Sequence, residues 1–248
     1  MGLSVIVITY NEEDSIARCL DSVRWAEELV VVDAESSDAT AEIARGLTPH
    51  VNVARWAGYS GAKTFALTKT TQEWILWLDA DECVTQELAM EIQAIIQAES
   101  RGTSAYEVAR RAFFLGKWIK HCGWYPGYVV RLFRKGSAAF TESSVHEKLT
   151  VNGRIGRLGN DLLHFTDENL FHYFAKFNRY TSLAAADVKK EGRRFSMIDL
   201  FLRPPFLFFK MYVARFGFLD GMHGLVLSLL SAASVFTKYA KLWESCEK

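Results

Sequence analysis

Residues 3–14, LSVIVITYNEED, decide how the rest of the chain is read. Seven residues, Leu3 to Thr9, pass without a charge and are rich in β-branched side chains. A strand buried on both faces of a parallel sheet has this pattern, whereas a half-exposed strand alternates. The run ends abruptly at Tyr10-Asn11-Glu12-Glu13-Asp14, so its carboxyl end delivers polar groups. The same figure recurs in residues 28–33, ELVVVD, and in residues 74–81, WILWLDAD. Between these runs, Ile16, Leu20 and Val23 keep helical spacing, and Asp38 stands where a helix N-cap belongs, ahead of residues 39–45. A short strand is expected near 51–54, with helices at 62–67 and 86–98. Strands alternating with helices predict a parallel sheet with right-handed crossovers. Ligands of such sheets lie outside the carboxyl ends of the strands.

The pattern changes after residue 104. Strands are expected at 105–112 and 128–133, on either side of an irregular stretch, 116–127. Residues 145–149 and 154–158 read as a hairpin across Asn152-Gly153. Past about residue 166 the strand signals stop. Helices are expected at 169–190 and 221–243, with aromatic-rich segments around Pro204-Pro205.

The bulk numbers narrow the classes. The 248 residues have room for one α/β domain and a smaller extension. Lys and Arg balance Asp and Glu at 29 each, which removes a global argument for nucleic-acid binding. The balance hides an asymmetry, because residues 169–248 hold 12 Lys and Arg against 6 Asp and Glu. Cys19, Cys83, Cys122 and Cys246 form no C-x-x-C pair, which fits neither a zinc knuckle nor a redox motif. Scattered thiols of this kind fit a reducing compartment. The first apolar run has no basic region ahead of it and reads as a strand, not a secretion signal.

No glycine-rich phosphate loop follows the first strand, which argues against NAD and against ATP held by a P-loop. What stands at the strand ends is acidic. Asp79-x-Asp81 puts two carboxylates on one side of a short extended segment. Such a pair suits a divalent cation, Mg²⁺ or Mn²⁺, that also takes substrate phosphate oxygens.

The quoted motifs VIVITYNEE, ELVVVDAESSDATAEIA, GAKTFAL and WILWLDADE resemble glycosyltransferase family 2, which has the GT-A fold. The later motifs GKWIKHCGWYPG, VVRLFRK, VHEKL, LLHF, GFLDGMHG and KYAKLWE are similar to the lipopolysaccharide core β-1,4-glucosyltransferase group. The resemblance runs over essentially the whole chain. It implies a GT-A catalytic domain over residues 1–167, with a nucleotide-sugar-binding half at 1–100 and an acceptor half at 101–167. A helical, membrane-associating region then covers 168–248.

The resemblance also implies roles. Thr9, Tyr10 and Glu12 line a base and ribose pocket, with Tyr10 stacking on uracil. Asp33 accepts a hydrogen bond from the base. Lys63 approaches the diphosphate, although this chain has Lys63-Thr64 where relatives more often carry Arg-Asn or Lys-Asn. Asp79 faces the nucleotide-sugar, Asp81 is the direct metal ligand, and His164 completes the metal site. His164 lies between Leu163 and Phe165, so a core histidine is the other reading. Glu147 is the expected base for an inverting transfer, with Glu142 second; the other reading of Glu147 is a hairpin surface residue paired with Lys148. Trp124 and Tyr125, within a stretch that also holds Trp118 and His121, suit an acceptor sugar. His146 is a further acceptor contact, and Arg131 and Arg134 are expected on phosphate.

Residues 195–218 hold eight aromatic side chains interleaved with Arg203, Lys210 and Arg215. This reads as a segment lying in an anionic lipid interface. Residues 221–237 carry no Lys, Arg, Asp or Glu, and are expected as a monotopic helix more than a full crossing. The expected enzyme therefore moves a hexose from a UDP-sugar to a lipid-linked saccharide at the cytoplasmic face of the inner membrane. Competing readings are a polyprenyl-phosphate sugar transferase, a nucleotidyltransferase and a non-catalytic sugar-nucleotide sensor.

Overall fold

A computed structural model describes residues 1–55, 58–98, 102–140, 149–192 and 195–247. The chain forms two compact units. One comprises Met1–Arg110 with Tyr128–His164, and the other Arg111–Gly127 with Phe165–Lys248.

The first unit opens with β1 (Leu3–Thr9), α1 (Ile16–Asp21), β2 (Glu28–Asp33), α2 (Thr40–Arg45) and β3 (Val51–Val53). It continues with α3 (Gly58–Thr68), β4 (Trp74–Asp79), β5 (Glu82–Val84) and α4 (Gln86–Gln97). Further along the chain, partly in the second unit, come β6 (Thr103–Phe114), β7 (Lys117–Trp118), β8 (Gly127–Arg134), β9 (Ala138–Phe140), β10 (Leu149–Val151), β11 (Arg154–Arg157) and β12 (Leu162–Asp167), with β7 and the ends of β6 and β12 belonging to that unit. The main sheet has the order β3-β2-β1-β4-β8-β6-β12-β5, with β7 and β11 added against β6. β1 pairs in parallel with both β2 and β4, and β2 with β3, while β8 runs antiparallel to β4. The α/β reading of the sequence therefore holds.

The uninterrupted apolar strands are explained by cover on both faces. Val5, Val7, Val31, Leu76 and Leu78 pack with Ile16, Leu20 and Ile92 in one cluster. Their neighbours Ile6, Ile8, Val30, Val32 and Ile75 pack with Ala62 and Ala66 of α3 in another. Side chains alternate across a strand, so each strand supplies both clusters. Thr85 caps α4 by accepting from the Leu88 N–H at 3.2 Å.

Strand order makes the site. The chain moves outward from β1 to β2 and β3, then returns to place β4 on the other side of β1. At such a reversal the strand ends open a crevice. Register places Thr9 opposite Asp33 and Ile8 opposite Asp79, which levels three carboxyl ends at one edge.

Two local expectations change. The short β5, directly after Asp81, has no signal in the sequence reading. Of the hairpin expected across Asn152-Gly153, residues 145–148 lie outside the described residues, and among the described ones β10 pairs with β9 whereas β11 lies parallel to β6. Gly153, at φ +116°, redirects the chain between them. Gly156 lets β11 close on Tyr106, since a Cβ there would sit 2.6 Å from the ring.

The second unit contains α5 (Leu170–Lys190), α6 (Met197–Phe209), a π-helical turn (Lys210–Ala214), a 3₁₀ turn (Gly217–Asp220) and α7 (Met222–Glu247). Asn169 caps α5 by accepting from the His172 N–H at 2.9 Å. Ile119, Cys122, Met211 and Leu227 form one small core, and Ala185, Val188, Tyr239 and Leu242 another.

Candidate active site

The loops after β1 and β2 are bound to each other. Asn11 adopts φ +52°, a left-handed conformation that asparagine tolerates better than most residues. Its side-chain oxygen accepts from the Ser37 N–H at 2.9 Å, and its own N–H donates to Ser36 Oγ at 2.9 Å. Ser36 Oγ in turn donates to Asp33 Oδ2 at 2.5 Å, and the Ser36 N–H donates to Asp33 Oδ1 at 3.0 Å. Glu12 N–H reaches Thr40 Oγ1 at 2.8 Å, and Glu13 accepts from the Ala39 N–H at 2.9 Å. Asp33 is 1% exposed, and Thr9 is buried with no hydrogen-bond partner for its hydroxyl among the described residues. Tyr10 stands half-exposed beside them. The result is a polar rim tied loop to loop, with the buried Thr9 and Asp33 at its base.

At the end of β4 the chain turns tightly into β5. Asp79 N–H donates to Glu82 Oε2 at 3.0 Å, which folds the three acids Asp79, Asp81 and Glu82 into one corner. Arg131 of β8 holds two of them, with Nη2 at 2.8 Å from Asp79 Oδ2 and 2.5 Å from Glu82 Oε1. Its guanidinium lies 3.5 Å from the Trp77 ring centroid. From α3, the Lys63 ammonium comes within 3.7 Å of Asp79 Oδ1 and 3.9 Å of the same ring. Burial opposes the ionised form of Asp79, but Arg131 foremost, then Lys63 and His164, hold its carboxyl well below the usual carboxylate range. Asp79 is thus a committed anion at the strand end.

Asp81 faces a different partner. His164, on β12, pairs across from Glu82 in the sheet, and its Nε2 lies 3.4 Å from Asp81 Oδ2. Burial works against the charged imidazole, yet the hydrogen bond and charge of Asp81 raise its pKa above the ordinary histidine value. One carboxylate oxygen and one imidazole nitrogen at this spacing fit a shared divalent cation. Among the described residues no group of three or more His, Cys, Asp and Glu side chains surrounds a common point. Two protein ligands leave the remaining positions to phosphate oxygens and water, as sites that bind metal together with a phosphorylated substrate do.

The structure therefore gathers Thr9, Asp33, Lys63, Asp79, Asp81 and His164 within one unit, with Tyr10 and Glu12 on the adjoining loop. Arg131, expected on a phosphate, is instead 1% exposed and occupied by Asp79 and Glu82. Arg134 is likewise held by Glu73. Trp124 and Tyr125 belong to the second unit, where Tyr125 meets Trp118 edge to face at 5.4 Å. Glu142, His146 and Glu147 lie outside the described residues.

Several participants escaped the sequence reading. Glu82 directly follows the Asp79-x-Asp81 pair, and Arg131, read there as a phosphate contact, interrupts the apolar run VVRLF, so that its acidic partners were the part missed. A charge inside a buried strand is itself a signal, because it must meet a countercharge. Ser36 and Asn11 gave no comparable signal, since their bonds depend on loop conformation.

Comparison with known proteins adds the family. Residues 4–140 match the family described as Glycosyl transferase family 2. The chain is 31% identical over 260 residues to the lipopolysaccharide core biosynthesis glycosyltransferase LpsC of Rhizobium meliloti, covering 97% of this chain and 94% of that protein. It is 33% identical over 253 residues to an uncharacterized glycosyltransferase of Rickettsia typhi, covering 98% and 87%. Among solved structures, the mannosyltransferase PcManGT from Pyrobaculum calidifontis, in complex with GDP-Man and Mn²⁺, superposes with a TM-score of 0.56 at 15% identity, covering 98% and 87%. TarS of S. aureus, in complex with UDP-GlcNAc, gives a TM-score of 0.50 at 16% identity, covering 100% and 92%. The structural likenesses share the GT-A fold; the family match and the full-length relatives decide the rest, and the chain belongs to glycosyl transferase family 2.

Proposed function

We propose that this glycosyltransferase moves a hexose, with glucose from UDP-glucose as the leading case, onto a lipid-linked oligosaccharide of the lipopolysaccharide inner-core type. Transfer proceeds with inversion and with a divalent cation. The observation that carries this reading is the level register of β1, β2 and β4, which lines up Thr9, Asp33 and Asp79 at one sheet edge. The relative named for lipopolysaccharide core biosynthesis supports the acceptor class, and the nucleotide-sugar complexes named for two fold neighbours support the donor class.

In this reading Asp33 accepts from the base, Tyr10 stacks on it, and Thr9 and Glu12 line the nucleoside. Lys63 is the cation offered to the diphosphate. Asp79, kept ionised, accepts from donor hydroxyls. Asp81 and His164 would hold the metal, which when bound neutralises charge on the departing diphosphate. Glu147, with Glu142 as second choice, takes the acceptor proton; support for both is the family resemblance. Alignment of two sugars and stabilisation of the leaving group supply most of the acceleration.

Membrane attachment through the second unit completes the proposal. Phe206, Phe209, Phe216, Leu219 and Met222 are all exposed, and Arg203 and Lys210 lie exposed among them. Met222–Cys246 is long and apolar enough to cross a bilayer, and an 18-residue window within it has a mean hydropathy of 1.3. Apolar rings with interleaved cations suit a monotopic seat on the anionic cytoplasmic leaflet.

The test is nucleoside diphosphate release from a panel of UDP- and GDP-sugars, with Mn²⁺, in the presence of core oligosaccharide or polyprenyl phosphate. A UDP-sugar turned over with core oligosaccharide is expected. Glu147→Gln should lower kcat by about 10²–10⁴-fold. Preference for a GDP-sugar, or for polyprenyl phosphate, would overturn the assignment.

A further inference from the structure

Two sequence motifs of the second unit, GKWIKHCGWYPG and GFLDGMHG, are brought together by one buried acid. Asp220 is 3% exposed. Its Oδ2 accepts from the His121 N–H at 2.8 Å, and its Oδ1 from the Lys120 N–H at 3.3 Å. The His121 ring nitrogen Nδ1 lies 3.1 Å from Oδ1. An anionic carboxylate only accepts, so Nδ1 carries the proton and the ring orientation is fixed. Nε2 is the nitrogen left for a ligand, and the His121 side chain is 33% exposed.

Two lysines flank this stretch of chain. The Lys117 ammonium donates to the Asp220 carbonyl at 2.8 Å. The Lys120 ammonium lies 4.7 Å from the Trp118 ring centroid, and Lys117 and Lys120 are both exposed. One residue beyond His121, Cys122 N–H donates to the Arg215 carbonyl at 3.0 Å. There a cavity of about 210 Å³ is lined by Gly123, Trp124, Lys210 and Arg215, among others. A histidine oriented by a buried carboxylate, with the Lys117 ammonium on the same acidic residue's carbonyl, stands one residue before Cys122, which lines the cavity. Proton-donating cations suit phosphoryl oxygens, and the Trp face suits a sugar ring.

We infer that the His121–Asp220 dyad, with Lys117 and Lys120, binds a phosphoryl group carried on the saccharide acceptor. The site deepens the proposed function and rests on it only in calling the ligand the acceptor. The outer Nε2 of His121 meets the phosphoryl group, and Asp220 holds the ring in place from behind. Trp124 and the adjoining cavity receive the sugar. Asp220 is a positioning residue, because it reaches the ligand only through His121.

The experiment follows the His121 ring resonances of the full chain by NMR with ¹³C,¹⁵N-labelled histidine, assigned through His121→Asn. That variant keeps an N–H donor for Asp220 and removes the outer nitrogen. The probes are inorganic phosphate, glucose 6-phosphate, and phosphatidylglycerol vesicles against phosphatidylcholine vesicles. Saturable shifts with phosphate and glucose 6-phosphate are expected, tighter for the sugar phosphate. Lys120→Gln should weaken glucose 6-phosphate binding about tenfold. No shift with either soluble probe, a shift indifferent to Lys120→Gln, or a response to phosphatidylglycerol alone would overturn the site. UDP binding with Mn²⁺, measured on the same samples, reports on the proposed donor site separately. Its loss in the wild-type chain would sink that reading and leave the phosphate result standing.

Discussion

Arg131 decides how the acidic corner is charged. Without its guanidinium, Asp79 and the fully buried Glu82 would repel each other in a poorly solvated turn. Removing one partner of a buried ion pair costs more than the pair itself contributes, because a charge is left behind. Arg131→Met should therefore destabilise the fold by about 3–5 kcal/mol. Urea denaturation followed by circular dichroism checks this, and a loss within 1 kcal/mol or so would mean that water or another cation replaces the guanidinium. The residue scale is also where the sequence was partly readable. Asp33, Asp79 and Asp81 stood out because each ends an apolar strand. Arg131 was misplaced because a motif gives its polarity but not the acids it meets across the sheet. Asp33's serine partner stayed hidden, since Ser36 reaches it only through a loop that Asn11 ties down at positive φ.

Elements were legible where burial imposes a period. Odd and even positions of β1 enter different clusters, so seven uncharged residues in a row, four of them consecutive Val and Ile, announce cover on both faces. Short strands with one or two core contacts impose no such period, which is why β5 and the separate fates of β10 and β11 were not legible. Close backbone approach is similarly silent in sequence. Gly224 on α7 faces the Gly217 carbonyl of the 3₁₀ turn so closely that a Cβ would lie 1.9 Å from that oxygen. Backbone cannot swing aside as a side chain can. Gly224→Ala should cost about 1–3 kcal/mol or more by overpacking, despite alanine's better helix propensity. A thermal melt of this variant with an unchanged or raised Tm would show that α7 and the turn separate freely.

At the scale of the molecule the chain divides its chemistry between two units. Acidic strand ends and the candidate cation pair lie in one, and exposed aromatic rings with basic residues in the other. The charge asymmetry of residues 169–248 led to an expected boundary at 167/168, whereas the compact units place residues 111–127 with 165–248. Phe206 is 69% exposed and Phe209 61%, so replacing both with glutamate removes apolar contact without emptying a core. Phe206→Glu with Phe209→Glu should abolish sedimentation with phosphatidylglycerol vesicles while leaving the melting temperature unchanged; undiminished sedimentation would move the lipid contact elsewhere. The central claim is that one sheet edge holds a nucleoside diphosphate through a cation on Asp81 and His164. Calorimetric titration of UDP into the wild-type chain and Asp81→Asn, each with Mn²⁺ and with chelator, tests it most directly. Binding by the wild-type chain that requires the cation and is lost in Asp81→Asn is the predicted result, whereas cation-independent UDP binding that Asp81→Asn leaves intact would contradict the account.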